Sequence, residues 1–169
     1  MTAVEWFAIR VKSNRERVAC QHLLGKGYEV FLPTYRPVKA SNSSVEVPLF
    51  PGYLFCRFNV NDRLPVLIVP GVSHIVGLGR QPAPVSEREL ESVRILVKGG
   101  LPLRPDEPYT VGQSIRIQKG PLAGAEGVIT RLGEERLIVS ISLLQRSISV
   151  ALQREWLTDE VMYAQSSGD

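Results

Sequence analysis

Histidine, cysteine, methionine and tryptophan each occur only twice in the 169 residues. Metal centres and cysteine–histidine nucleophile sites need such residues clustered at short spacing, and neither His22 nor His74 stands in one. Cys20 falls on a helix-like segment and Cys56 on a strand-like one, so both read as buried, reduced thiols. No carboxylate pair and no nucleophile–base spacing stands out, which argues against an enzyme and leaves no cofactor or metal to assign. No apolar run is long enough to cross a bilayer. Met1-Thr2-Ala3-Val4-Glu5 lacks a basic region followed by an apolar one, so no export signal is expected and a cytoplasmic protein is.

What is present suffices for one ordinary core or two small ones, since 44% of the side chains are hydrophobic. The net charge of +3 is unevenly placed: residues 1–98 hold 13 Lys and Arg against 8 Asp and Glu, and residues 99–169 hold 7 against 9. A modest basic bias in the first part is compatible with nucleic acid and equally with a solvated surface.

The chain is organised around Phe50-Pro51-Gly52-Tyr53-Leu54-Phe55, where a turn opens directly into an apolar strand. Pro51 fixes φ and Gly52 permits a positive one; Tyr53, Phe55 and Arg57 then alternate with Leu54, Cys56 and Phe58. One face of that strand meets a core. The other, if the sheet is open there, offers aromatic surface to a partner.

Before it, Trp6–Val11 reads as a strand, and Ser13 with Glu16 fits a capping box for a helix that Gly25 and Gly27 stop. Tyr28–Pro33 is a second strand, and 35–50 a long hairpin with a polar tip at 40–44. After it come a short helix admitting Pro65 in its first turn, a strand over Ser73–Leu78, and a helix after Ser86 carrying Leu90, Val93 and Val97. Glu89 completes a second capping box with Ser86, and Gly99-Gly100 ends the helix. A mixed domain over 1–98 is expected.

Residues 99–110 hold Pro102, Pro105 and Pro108 and read as an extended linker. Short strands at Ser114–Gln118, Gly127–Leu132, Arg136–Ser142 and Ser147–Leu152 then suggest a small β-barrel over 111–160, with 161–169 disordered. Within it, Gly120-Pro121 makes a turn, and Gly124 and Gly127 let the backbone bend back into the next strand. Without Gly-Lys-Ser/Thr and a following helix, this glycine-rich stretch is no nucleotide cradle.

The segment from Gly112 to Ile129, with Gly120, Pro121, Gly124 and Gly127, resembles a KOW motif. Trp6-Phe7-Ala8-Ile9, the run Pro48–Phe55 and Pro70-Gly71-Val72 resemble the NGN domain of the NusG family, in the right order and over 5–157. The resemblance implies an α+β fold: an NGN α/β sandwich with an antiparallel sheet, then a small SH3-like KOW barrel. It implies a transcription elongation or antitermination factor, a monomer, whose first domain binds the clamp helices of the largest RNA polymerase subunit. Phe50 is the first contact implied, then Tyr53 and Phe7; core packing of Phe50 is the alternative.

Lys12, Arg15, Arg17 and His22 lie where some family members approach the non-template DNA strand, although a solvated helix face is the favoured reading of each. In the barrel, Leu143, Leu144 and Arg146 match the loop by which the family meets Rho or a small-subunit ribosomal protein. The family's aromatic anchor is absent there, and Asp62-Arg63-Leu64-Pro65 departs from the second polymerase contact of RfaH. The Leu143-Leu144-Gln145-Arg146-Ser147 form, the proline-rich linker and the short N-terminus resemble operon-specific paralogues of the UpxY, LoaP or RfaH kind. A general member supporting Rho-dependent termination, and a free RNA- or ribosome-binding KOW protein, stay open as alternatives.

Overall fold

The computed structural model describes residues 3–37, 45–131 and 134–157. It is an α+β protein whose described residues divide into two compact units. The first runs to Arg36 and from 45 to Glu87; the second holds Pro37 and everything from Arg88 onward. Among the described residues, no helix is long and apolar enough to cross a membrane.

The first unit is built on strand β1 (Glu5–Val11), followed by helix α1 (Glu16–Gly25), β2 (Glu29–Phe31) and the hairpin β3 (Thr34–Tyr35) and β4 (Val47–Pro48). Then come β5 (Tyr53–Phe58), the four-residue helix α2 (Leu64–Leu67), β6 (Val72–Ile75), and the hairpin β7 (Gly77–Leu78) and β8 (Gln81–Pro82). The main sheet is antiparallel in the order β2-β5-β1-β6.

Alternation along its two central strands decides which side chains meet the helices. Phe7, Ile9 and Val11 of β1 and Leu54, Cys56 and Phe58 of β5 pack with Ala19 and Leu23 of α1 and Val66 of α2 in one buried cluster. Lys26 Nζ, just past α1, donates to Pro65 O at 2.7 Å and ties the two helices together.

The expected capping box at Ser13 is not formed. α1 starts one residue after Arg15, without a side-chain cap, and Glu16 reaches elsewhere. The expected strand over Ser73–Leu78 breaks at Val76, and the segment beyond folds into a hairpin of its own. The polar tip at 40–44 lies outside the described residues.

The second unit opens with helix α3 (Glu87–Lys98), then β9 (Leu103–Glu107), β10 (Ile115–Arg116), β11 (Glu126–Thr130), β12 (Arg136–Ile141) and β13 (Arg146–Ala151). These five strands form one antiparallel sheet in the order β10-β11-β12-β13-β9, with Leu137, Val139, Ile141, Ile148 and Val150 buried. Polar side chains buried in it are paired: Arg136 Nε donates to Ser149 Oγ at 2.8 Å, and the hydroxyls of Ser140 and Ser147 are 2.9 Å apart.

The segment read as a linker departs from expectation, because Leu103–Glu107 is a strand paired with β13. It is an edge strand, and an edge tolerates Pro105, which has no N–H to give to a further neighbour. The division by contacts also falls at Arg88 rather than near residue 98. Ser92 Oγ, buried on α3, accepts the Glu126 N–H at 2.9 Å, and the Glu89 carboxylate accepts from the Ser142 N–H and hydroxyl. The expected tail over 161–169 lies outside the described residues.

Candidate docking surface

The face of the first sheet opposite the helices is aromatic. Register places Trp6 across from Arg57, Ala8 across from Phe55 and Arg10 across from Tyr53, while Phe31 of β2 faces Phe55 from the other side. Phe50 meets Phe55 edge-on with ring centroids 6.0 Å apart, and Phe31 lies 6.1 Å from the same ring. Such offset and edge contacts suit the ring quadrupole. Phe55 is therefore the hub of the cluster.

The turn leading into β5 is held on all sides. Gly52 has φ +86°, and a Cβ there would run into the Arg10 guanidinium, so glycine is needed twice over. Its N–H donates to Glu16 Oε1 at 3.0 Å, its carbonyl accepts from Val11 N–H at 2.8 Å, and Tyr53 N–H donates to Phe50 O at 3.0 Å. The Arg10 guanidinium carbon sits 4.8 Å from the centroid of the Tyr53 ring, in cation–π range. Tyr53 is half-buried and keeps part of its ring accessible.

The three residues expected to contact polymerase are thus not alike. Phe7 belongs to the helix-side core, fully buried against Phe58 at 4.8 Å, on the other face of the sheet from Tyr53; it cannot be a surface contact. Phe50 is only 4% exposed, which makes it a support for the cluster rather than an exposed anchor. Tyr53 remains a surface residue. Arg10, Glu16 and Phe55 were missed by sequence reasoning. Strand alternation could have placed Arg10 and Phe55 beside Tyr53; nothing in the local pattern pointed Glu16 at a turn 36 residues away.

Lys12 and Arg15 are exposed together beside Gly71: Lys12 N–H donates to Gly71 O at 2.8 Å, and Arg15 packs its aliphatic stem on that glycine. Arg17 turns away, its guanidinium donating to Glu46 O at 2.6 Å. His22 lies five residues further along α1, roughly 140° around the helix from Arg17, so the four do not converge. Every described aromatic of this unit is buried or half-buried, so no fully exposed platform accompanies these charges.

In the second unit, Leu143 and Leu144 are half-buried in a single 3-10 turn over Ser142–Leu144, Gln145 takes φ +50°, and Arg146 is exposed at the start of β13. The turn is anchored by Glu89 through Ser142. Of the KOW residues, Gly112, Gly120 and Pro121 are exposed in loops, and Gly124 lies in the bend with φ +93°. Gly127 sits in β11 where a Cβ would meet the backbone of Ile138. That close approach of two strands is why the position takes glycine.

Burial disfavours the thiolate at both cysteines. Burial pushes the Cys56 thiol up to about 12, with the nearby Cys20 adding to the shift, and burial also raises Cys20. Among the described residues, no group of three or more His, Cys, Asp or Glu could hold a metal ion.

A family model described as "Transcription termination factor nusG" matches residues 4–94, nearly all of the first unit and most of α3. The chain belongs to the NusG family. Its relatives include the "Transcription termination/antitermination protein NusG" of Thermus thermophilus, 28% identical over 89% of this chain and 95% of the relative. The protein of that name from Escherichia coli K12 is 31% identical over 83% of this chain and 82% of its own length. A solved structure described as "Domain interaction in Thermotoga maritima NusG" aligns with a TM-score of 0.55 at 23% identity, covering 91% of this chain and 96% of that one, and supports the fold. The NusG match thus spans both units.

Proposed function

We propose that this chain is a transcription elongation and antitermination factor that docks on the clamp helices of RNA polymerase through the Tyr53 turn of its first unit. The observation that carries the reading is the Phe50–Tyr53 turn, clamped by backbone bonds and by Glu16, which presents Tyr53 under the Arg10 guanidinium. A rigid amphipathic ring beside a cation is a frequent interface anchor, because little side-chain entropy is lost when it binds. Membership of the NusG family, whose relatives are named termination/antitermination proteins, supports the same reading.

No enzyme chemistry is assigned, and the protein acts in the cytoplasm. Bridging the nucleic-acid cleft favours the closed clamp only if the factor binds that state more tightly, and this shift in population shortens pauses. Lys12 and Arg15, exposed side by side, are the pair best placed to meet the non-template strand. The Leu143–Leu144 turn with Arg146 recruits a second partner, a small-subunit ribosomal protein, through aliphatic contact rather than an aromatic anchor.

Single-round transcription with purified polymerase, on a template carrying a pause and a Rho-dependent terminator, tests this. Shorter pauses and more read-through are expected. Increased Rho-dependent termination would instead favour the general NusG role, and the missing aromatic in the barrel turn would then carry no meaning.

A further inference from the structure

We propose that Glu16 is a positioning residue that sets the Pro51–Gly52 turn and, through it, the Tyr53 ring; its effect on binding rests on the docking reading above. An acidic residue in the first turn of a helix ordinarily serves that helix's own N–H groups. Glu16 does not. It is 7% exposed, on the inward side of α1 with Ala19 and Leu23, and its Oε1 accepts the N–H of Gly52. That contact is the second hold on Gly52, whose carbonyl is already taken by Val11 N–H.

The geometry makes the contact more than a packing detail. Gly52 is buried, so its N–H, deprived of Glu16, would be an unsatisfied donor and would seek water by opening the turn. The turn is also where φ is positive and where the Arg10 guanidinium fills the space a Cβ would need. A shift of Gly52 therefore moves Tyr53, the next residue, out from under Arg10. Glu16 is itself buried, yet it holds the turn that carries the half-buried Tyr53 ring.

The test uses the full chain as wild type, Glu16→Gln and Glu16→Ala, compared where circular dichroism shows each folded. Gln keeps an oxygen acceptor; Ala removes it. Hydrogen exchange at the Gly52 amide and affinity for purified core RNA polymerase are the two readouts. Glu16→Ala is expected to speed Gly52 exchange and weaken polymerase binding by about tenfold each, with Glu16→Gln within about threefold of wild type, as for a lost and a retained hydrogen bond. Should Ala not fold, Glu16→Met keeps the chain length without an acceptor and takes its place. Unchanged Gly52 exchange in the acceptor-free variant overturns the proposal. Faster exchange with unchanged affinity overturns its link to binding. If wild type itself fails to bind polymerase, the docking reading falls, and the exchange rates alone decide whether Glu16 holds the turn.

Discussion

Phe7 and Tyr53 stand on opposite faces of one sheet. Phe7 is registered against Cys56 and packs on Phe58 at 4.8 Å, whereas Tyr53 is registered against Arg10 and lies 4.8 Å beneath its guanidinium. The same pair of strands thus supplies both the core and the candidate docking face, and the two can be perturbed separately.

Phe7→Ala removes a ring from the centre of the helix-side core. It should lower stability by about 3–5 kcal/mol, the usual cost of emptying a buried phenylalanine site. Urea unfolding followed by circular dichroism measures it. A loss of polymerase binding in a Phe7 variant whose stability is intact would contradict its placement in the core.

Gly52→Ala meets two obstacles: a left-handed backbone and the Arg10 guanidinium. The backbone strain alone costs about 1–2 kcal/mol. The guanidinium, as the far end of a flexible side chain, can swing aside, forfeiting a cation–π contact worth about 0.5–1 kcal/mol. Equilibrium unfolding should therefore show a loss of about 1.5–3 kcal/mol, and replacement without cost would show that the turn is not held as described.

Cys56 titrates far above an ordinary thiol because it is buried among apolar side chains. Its folded value of about 12 exceeds the unfolded reference of 9.0, so the native state holds the proton more tightly than the unfolded chain does. Its contribution is intact below pH 9 and is lost as the pH rises from 9 toward 12. Native protein at pH 8 should resist thiol alkylation at Cys56 until urea is added. Unfolding midpoints recorded between pH 8 and 11 should fall less steeply for Cys56→Ala than for wild type; parallel curves would show that another group controls the decline.

Much of this was legible in the sequence, and the reasons are local. The apolar alternation of Trp6–Val11 and Tyr53–Phe58 fixed both strands, and Pro51-Gly52 marked the turn, because backbone restriction and pleat act within a few residues. Ser13 and Glu16 have the spacing of a capping box, but the Glu16 carboxylate accepts instead from a turn across the fold. Residues 99–110 read as a linker because of their prolines, whereas Leu103–Glu107 within them is an edge strand that admits Pro105. Phe7 and Phe50 were both read as contacts, and only the register and ring packing separated core, support and surface.

Ser92 offers a compact test of how α3 belongs to the second unit. Its hydroxyl is buried and accepts the Glu126 N–H, so Ser92→Val leaves that donor unpaired. A loss of about 1–3 kcal/mol is expected in unfolding of the full chain, with faster exchange at the Glu126 amide. No change in either would mean that the helix is not bonded to β11 in solution.

Binding of purified core RNA polymerase by the wild-type chain and by Tyr53→Ala is the most direct test of the docking reading. The ring is half-buried, so stability should change little, while affinity should fall by at least about tenfold if it is a contact anchor. Equal binding by both would remove Tyr53 and the turn from the interface. Absence of binding by wild type, where a NusG control binds, would contradict polymerase docking altogether.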